Sequence, residues 1–233
     1  MYIRNVSSYH TPNVRVNDEC KIESMNVRTI YEQYMIPQNL QEHMLRVASL
    51  ADIILTNWTG LQIDKEAIIT TCLFHDIAKP MSFNLAKQAA FGMNSTDILR
   101  LKKLQEFLKS EFGEDEHRAT VKIYEKLNVR PKVIALIDNL EWSNISKLLK
   151  NNDTESLMPI YCDMRIGPNG ILSLNDRLYD LKVRTNQNDY EKNVANGTDT
   201  EKMIQQNCAI NIDSVNDQQI QKRFETLLNY RFN

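Results

Sequence analysis

A chain of 233 residues is long enough for one domain with a short addition, since domains commonly contain about 100–200 residues. A hydrophobic fraction of 42% can form a substantial core, and a formal net charge of −2 without a basic stripe argues against an extended nucleic-acid surface. No apolar run approaches the roughly 18–20 residues that cross a bilayer, and the N-terminus lacks the apolar region of a signal peptide, so we expect a cytoplasmic protein with no membrane partner. None of the 4 cysteines forms a C-x-x-C pair, which argues against a zinc ribbon or a thioredoxin-type site.

The first predicted elements are a polar arm and two helices. Residues 1–24 are polar and mixed, and a helix is expected at residues 25–36, before Pro37. Asn39 is predicted to cap the next helix, with Glu42 three positions later completing a capping box. The apolar residues of this second helix recur at the spacing of a buried stripe: Leu40, Met44, Val47, Ala48, Ala51, Ile54 and Leu55. The helix is therefore predicted to pack into the core.

The sequence over residues 65–79 ends an apolar run with an imidazole beside a carboxylate. His75, Asp76 and Lys79 would share one face of a helix that stops at Pro80, because residues three and four apart are neighbours on a helix. A carboxylate inside an apolar run is costly unless something pairs with it. A divalent metal ion would pair with both side chains, since imidazole nitrogen and carboxylate oxygen are standard ligands. The alternative interpretation is a core His–Asp hydrogen bond, with Lys79 at a solvated helix end.

Three of the 4 histidines fall on three different predicted helices, which is a pattern of metal sites because one metal can satisfy several buried imidazoles. His43 lies at the edge of the stripe described above, where a histidine is more often a core residue than a ligand. His75 ends the apolar run, and His117 lies on an apolar face of a helix that Asp115 caps. Asp163 adds an acid inside the apolar segment predicted as a helix at residues 157–166.

The C-terminal part of the chain differs in composition. From Thr185 to Asn196 the residues are mostly Asn, Gln and Asp, which predicts a polar linker. Two amphipathic helices, at about 199–208 and 215–230, are expected to pack back as a C-terminal appendage. Residues 186–233 contain no histidine and are expected to contribute no metal ligand. No convincing strand is found anywhere, so the predicted fold class is all-α.

The order of these polar residues resembles a known family signature. His43, then His75–Asp76 with Lys79, then Asp163 resembles the H…HD…D signature of the HD-domain superfamily of metal-dependent phosphohydrolases. HDIAKP is similar to the family's HD-x-[GA]-K-[PS] element, and CDMRIGP resembles the late helix that supplies the last Asp. EHRATVKIYEKL resembles the helix in which many members carry a further histidine, here His117.

The resemblance implies an HD-domain helical bundle with a C-terminal helical appendage. The chain would divide into an N-terminal arm at 1–24, the HD domain at 25–185, and the polar linker with C-terminal helices at 186–233. One divalent metal ion would be bound in the domain, and its identity stays open among Mn, Co, Ni, Fe, Zn and Mg. The implied ligands are His43, His75, Asp76 and Asp163.

The resemblance also implies residues that bind phosphate. Lys79 and Arg46 would neutralise phosphate charge. His117 matches a position that binds a second metal in dinuclear members or contacts phosphate in others. No histidine lies between His117 and Asp163, which favours one metal over two and argues against the oxygenase branch and the cyclic-dinucleotide phosphodiesterases.

The activity implied by the resemblance is hydrolysis of a phosphate ester by a metal-activated water. The expected substrate is a small nucleotide or phosphomonoester, and a homo-oligomer stays open. Glu42, Glu114 and Glu116 are alternatives for a general base. Two other functions stay open: a catalytically silent HD fold that binds a ligand or acts as a scaffold, and a phosphodiesterase acting on a cyclic phosphate or an RNA end.

Overall fold

The computed structural model describes residues 25–185 and 189–232, so the predicted arm at residues 1–24 lies outside the described residues. The described residues form 12 α-helices, which confirms the predicted all-α class, and none of these helices is long and apolar enough to cross a membrane. The helices are α1 (Val27–Gln33), α2 (Gln38–Thr56), α3 (Lys65–Phe74), α4 (Ser95–Phe112), α5 (Glu116–Lys126), α6 (Pro131–Asp138), α7 (Ile145–Lys150), α8 (Thr154–Arg165), α9 (Leu174–Thr185), α10 (Tyr190–Gln206), α11 (Asp217–Gln221) and α12 (Phe224–Leu228). Short 3₁₀ turns lie at Lys79–Ser82, Leu85–Phe91, Trp142–Asn144 and Ile212–Ser214.

One small hairpin was not predicted. Strand β1 (Ile166–Gly167) pairs in antiparallel fashion with β2 (Gly170–Ile171) directly after α8. Gly170 has φ +147°, a backbone conformation that favours glycine, and a Cβ there would collide with the carboxylate of Asp217. The two-residue strands are too short to leave an alternating pattern in the sequence, which is why they escaped prediction.

The predicted capping box at the start of α2 is wrong. The helix begins at Gln38, its N-terminal cap position is Pro37, and no side chain caps it. The ring of Pro37 holds φ at −57°, so the chain enters the helix before Asn39 could act as a cap. Glu42 instead accepts a hydrogen bond from the Gln38 side chain at 3.2 Å.

Helix α3 ends one turn earlier than predicted. The Asp64 side chain caps the N-terminal end of the helix, as predicted. The last residue of the helix, however, is Phe74 rather than Lys79. Beyond it the backbone makes tighter bonds, from the Ile77 amide to the Phe74 carbonyl and from the Lys79 amide to the Asp76 carbonyl. Pro80 has no amide hydrogen and disfavours a helical residue before it, which explains the early end. His75 and Asp76 therefore lie on the turn that follows α3 and not within the helix.

Helix α3 is the centre of the core. Its residues from Ala67 to Phe74 are all buried, and it packs against α2, α6 and α8. The Phe74 ring has three edge-on aromatic neighbours, with centroid distances of 6.0 Å to Tyr31, 6.4 Å to Tyr124 and 5.1 Å to Phe232. Because Phe74 directly precedes His75, this aromatic cluster fixes the backbone that carries the HD pair.

The C-terminal helices pack back on the bundle and share its main core. Helix α10 packs against α7, α8 and α9, and helices α11 and α12 pack against α2. The buried C-terminal residues belong to the same apolar cluster as α2 and α3: Ile204, Ile212, Ile220, Leu227 and Phe232. The single helix predicted at 215–230 is divided in two, and between the halves Arg223 pairs with Asp52 of α2.

The predicted polar linker is largely helical. Its residues from Tyr190 onward form the first turns of α10, while residues 186–188 lie outside the described part of the chain. The asparagines that suggested a linker make contacts across to the start of α7. Asn193 accepts a hydrogen bond from the Trp142 indole at 2.8 Å, and Asn196 bonds with the Ser146 hydroxyl. Tertiary hydrogen bonds thus compensate for a composition that is poor in apolar residues.

Candidate metal centre

Three packed helices bring the predicted ligands to one place. His43 is a half-buried residue of α2, His75 follows the last residue of α3, and Asp163 lies in the last turn of α8. Helices α2, α3 and α8 all contact one another, so the three side chains converge although 120 positions of sequence separate the first from the last. One ligand atom from each of these three residues lies within 4.8 Å of the others.

The distances in this group suit ligands of a single ion. The Asp163 carboxylate oxygen Oδ1 lies 3.0 Å from His43 Nε2 and 3.6 Å from His75 Nε2. Asp76 contributes a second carboxylate, whose Oδ2 lies 3.9 Å from His43 Nε2 and 3.8 Å from His75 Nε2. All four residues that the sequence suggested as ligands are therefore neighbours, with Asp76 at the edge of the tight three-residue group.

The orientation of the His75 ring leaves one nitrogen without a partner. Its Nδ1 lies 2.8 Å from the carbonyl oxygen of Cys72, so the hydrogen on Nδ1 donates to the backbone. Its Nε2 is buried and has no hydrogen-bond partner among the residues that the structure describes. A buried polar atom without a partner is costly, and a metal ion is one of the groups that commonly supplies it. Backbone bonding at one ring nitrogen also fixes the tautomer that offers the other nitrogen to a metal.

The charges of the group are strongly coupled. Burial alone would lower the pKa of His75, but the carboxylates of Asp76 and Asp163 outweigh it and raise that pKa to about 9. Burial alone would raise the pKa of Asp163, but the His43 imidazole at 3.0 Å and the neighbouring His75 imidazole hold that pKa well below its usual range. The two carboxylates thus form a concentrated negative site that attracts either a proton or a metal ion.

The donor set fits a divalent metal ion. Two imidazole nitrogens with two carboxylate oxygens suit Mn, Fe, Co, Ni or Zn, and the two carboxylates neutralise the charge of such an ion. A bound ion would give the buried Nε2 of His75 a partner, which the described residues do not provide. Among the described residues of the C-terminal segment, none joins this group.

Lys79 lies beside the group and is held by an acid from another helix. Its ammonium nitrogen is 3.1 Å from Oε1 of Glu116, the first residue of α5. The other oxygen of Glu116 accepts a hydrogen bond from Ser82, at the end of the same 3₁₀ turn that begins with Lys79. Burial would lower the pKa of Lys79, but the carboxylates of Asp76, Glu116 and Asp163 together raise it. Lys79 is therefore a cation located between Glu116 and the ligand carboxylates.

Arg46 is held in a comparable way. Its Nη1 lies 3.7 Å from Oδ1 of Asp217, the first residue of α11. The same carboxylate oxygen accepts a hydrogen bond of 3.1 Å from the backbone amide of Ile171 in the hairpin. Asp217 thus links the C-terminal helices both to α2 and to the hairpin that follows α8.

His117 lies outside the ligand group. Its side chain is 42% exposed and its Nε2 lies 3.5 Å from Oδ1 of Asp138 at the end of α6. The expectation that it points into the core is therefore wrong. The buried face of α5 is formed by Ala119, Thr120, Ile123 and Tyr124, and His117 lies in the first turn, where the helix emerges to solvent.

Sequence reasoning missed the residue that anchors the end of α8. Arg165 is 2% exposed, and its guanidinium donates hydrogen bonds to the Tyr161 hydroxyl, the Glu201 carboxylate and the Leu172 carbonyl. It also lies 3.1 Å from Asp213. The only available signal was an arginine inside CDMRIGP, next to an apolar segment, and its acidic partners are distant in sequence. This network fixes the helix end that carries Asp163.

Comparison with known proteins agrees with the geometry. The family model described as HD domain matches residues 40–143. No curated protein and no solved structure matches the chain. The matched span includes His43, His75 and Asp76, and the fold adds Asp163 from beyond its end. Residues 40–143 are therefore similar to an HD domain, and the group formed by His43, His75 and Asp163 is consistent with the HD-domain superfamily.

Proposed function

We propose that this protein hydrolyses the phosphate ester of a small nucleotide or another small phosphomonoester with one bound divalent metal ion. The single observation that supports this most strongly is the buried, unpartnered Nε2 of His75 facing the Asp163 and Asp76 carboxylates. A permanent hydrogen-bond partner would occupy this nitrogen if the pair were only a structural element of the core.

The residues that would hold the metal are His43, His75, Asp76 and Asp163. A divalent ion bound there would lower the pKa of a coordinated water molecule and polarise a phosphoryl oxygen of the substrate. The carbonyl of Cys72 keeps the His75 ring in the tautomer that presents Nε2 to the ion. The buried Arg165 network keeps the end of α8, and with it Asp163, in a fixed position relative to α2 and α3.

Lys79 is the residue proposed to bind the substrate. Its ammonium group is partly exposed and is close enough to the ligand carboxylates for them to raise its pKa. An ammonium group in this position can donate to a phosphate oxygen and neutralise charge that increases as the ester bond breaks. Arg46 is the second proposed phosphate-binding cation, at three residues beyond the ligand His43 on α2.

The proposal is tested by hydrolysis assays on metal-reconstituted protein. A panel of nucleoside monophosphates, a generic aryl phosphate and a 2′,3′-cyclic nucleotide should be assayed with Mn²⁺, Co²⁺ and Ni²⁺, and with a chelator. We expect hydrolysis of monoesters that the chelator abolishes. Hydrolysis of the cyclic ester alone would contradict the proposed substrate class, and no hydrolysis of any ester would contradict the activity.

The role of Lys79 is tested in the same assay. Lys79→Ala should lower turnover by about 100-fold, which is the typical cost of losing one group that stabilises charge in the transition state, while the metal content stays that of the wild type. Lys109→Ala is the matched control, because Lys109 is also a half-exposed lysine paired with a glutamate, Glu114, at 3.0 Å. If Lys79→Ala loses the metal instead, Lys79 is structural and its proposed role is wrong.

A further inference from the structure

Lys79, the cation proposed to bind phosphate, already forms an ion pair with a carboxylate of the protein. Lys79 contacts the Glu116 carboxylate at 3.1 Å, and Ser82 donates a hydrogen bond to the other oxygen of that carboxylate. Glu116 is thus held at both ends of the turn that follows the HD pair. The Glu116 carboxylate therefore contacts the Lys79 ammonium group, to which a substrate phosphate would have to bind.

The charges of the site show what this anion does. The carboxylates of Asp76 and Asp163 balance the two positive charges of a divalent ion, so the ligand set with its metal is neutral. The positive charges available to a phosphate are then those of Lys79 and Arg46, and each is paired, with Glu116 and with Asp217. With both carboxylates in place the whole group is neutral, and without them it would carry two positive charges, which match the dianion of a phosphomonoester.

The ion pair between Lys79 and Glu116 is partly exposed to solvent. The side chain of Glu116 is 33% exposed and that of Lys79 is 43% exposed, so solvent can take over either partner. Glu116 is the first residue of α5, and the Lys79 ammonium group is carried on a flexible four-carbon side chain. An ion pair of this exposure stabilises the protein only weakly, so its separation costs little.

We infer that Glu116 is a built-in competitor of the substrate phosphate for Lys79, and that it is displaced when a phosphate dianion binds. This inference rests on the proposed function and deepens it, because it names the charge of the preferred substrate. A dianionic monoester gains enough at the two cations to replace the carboxylates. A monoanionic diester carries half the charge and replaces them less well. The counter-ion therefore sets a charge threshold for binding.

The test is the affinity of inorganic phosphate for the metal-reconstituted protein, measured by calorimetry at one low ionic strength. Glu116→Gln keeps the shape of the side chain and can still accept from Ser82, but it removes the competing charge. It should bind phosphate about 3- to 10-fold more tightly than the wild type, the range expected for removing one partly solvated charge next to the site. Phosphate affinity that is unchanged or weaker in Glu116→Gln would overturn the inference, because a carboxylate that only positions Lys79 predicts weaker binding.

Two further variants make the result specific. Glu114→Gln removes the same charge two positions away, but Glu114 pairs with Lys109 and is 78% exposed, so phosphate affinity should stay within the error of the wild type. In a Lys79→Ala background, Glu116→Gln should give no gain, because the contested cation is absent. A gain that persists without Lys79, or an equal gain in Glu114→Gln, would mean general electrostatics and would overturn the inference.

Failure of this inference can be distinguished from failure of the proposed function. Protein that binds phosphate with the predicted pattern but hydrolyses no ester would contradict the activity and leave the competition at Lys79 in place. Protein that hydrolyses monoesters but shows no change of phosphate affinity in Glu116→Gln would contradict only the competition. Wild-type and Glu116→Gln protein that both fail to bind phosphate would overturn the competition, since no anion site would then exist at Lys79.

Discussion

Replacing Phe232 near the end of the chain should destabilise the centre of the molecule. Phe232 is 8% exposed, and its ring packs edge-on against Phe74 with a centroid distance of 5.1 Å. Phe→Ala substitutions at buried sites typically lower the free energy of unfolding by about 3–5 kcal/mol, and that is the change expected for Phe232→Ala. Because small domains are stable by only about 5–15 kcal/mol, the loss would be a large fraction of the total.

The assay is urea unfolding of the metal-free protein followed by circular dichroism, because bound metal would add its own linkage to the measured stability. Tyr179→Ala is the control, since Tyr179 is an aromatic residue that is 60% exposed and should change stability by less than about 0.5 kcal/mol. A loss below about 1 kcal/mol in Phe232→Ala would refute the reasoning that the C-terminus completes the core.

The same reasoning applies to truncation of the chain after Thr185. Such a truncation removes seven buried apolar residues from the main core: Ile204, Cys208, Ile212, Val215, Ile220, Leu227 and Phe232. Burying each contributes about 1.5–3 kcal/mol, and their combined contribution equals or exceeds the total stability of a typical domain. We therefore expect the truncated chain not to fold.

Three other predictions concern the charged and titratable groups in and around the site. Arg165→Met should lower the free energy of unfolding by about 1–3 kcal/mol in urea denaturation, because the partly exposed Glu201 carboxylate loses the guanidinium and keeps the Tyr161 hydroxyl as a donor. The pKa of about 9 at His75 means that a proton occupies the metal-free site at neutral pH, so calorimetry in two buffers should detect proton release on metal binding, with metal affinity rising from pH 7 to 9. His117→Ala should leave metal content unchanged, because His117 pairs with Asp138 outside the ligand group; elemental analysis decides this.

The pKa of His75 also predicts how stability depends on pH. Its folded pKa of about 9 lies above the ordinary histidine value of 6.5, so its protonation stabilises the metal-free protein fully below pH 6.5. That contribution is lost as the pH rises from 6.5 through 9. Thermal unfolding of the metal-free protein should therefore occur at lower temperature at pH 9 than at pH 6.5. Bound metal should remove this dependence because it replaces the proton.

Most of the candidate ligands could be found in the sequence because they lie in short motifs. His75, Asp76 and Lys79 occur within five residues of each other, and Asp163 lies within a second recognisable segment. The counter-ions could not be predicted, because the contacts of Lys79 with Glu116 and of Arg46 with Asp217 join residues that only the fold brings together. Exposed glutamates and aspartates are common, and no local pattern marks those that face a cation.

The helix boundaries show a similar division. The all-α class followed from apolar periodicity, which reports burial directly. The early end of α3 did not, because both a helix and a tight turn place His75 and Asp76 after an apolar run, and Pro80 decides between them. The helical start of α10 was missed because hydrogen bonds of Asn193 and Asn196 to other elements replace apolar contacts there.

The central claim is that His43, His75, Asp76 and Asp163 bind one divalent ion, and metal content tests it most directly. The wild type should be freed of metal, reconstituted with Mn²⁺ or Co²⁺, dialysed, and analysed for the element beside Asp163→Asn. The account predicts about one metal ion per chain in the wild type and a small fraction of that in Asp163→Asn, because the substitution removes a charged ligand oxygen. Full occupancy in folded Asp163→Asn protein, or no metal retained by the wild type, would contradict it.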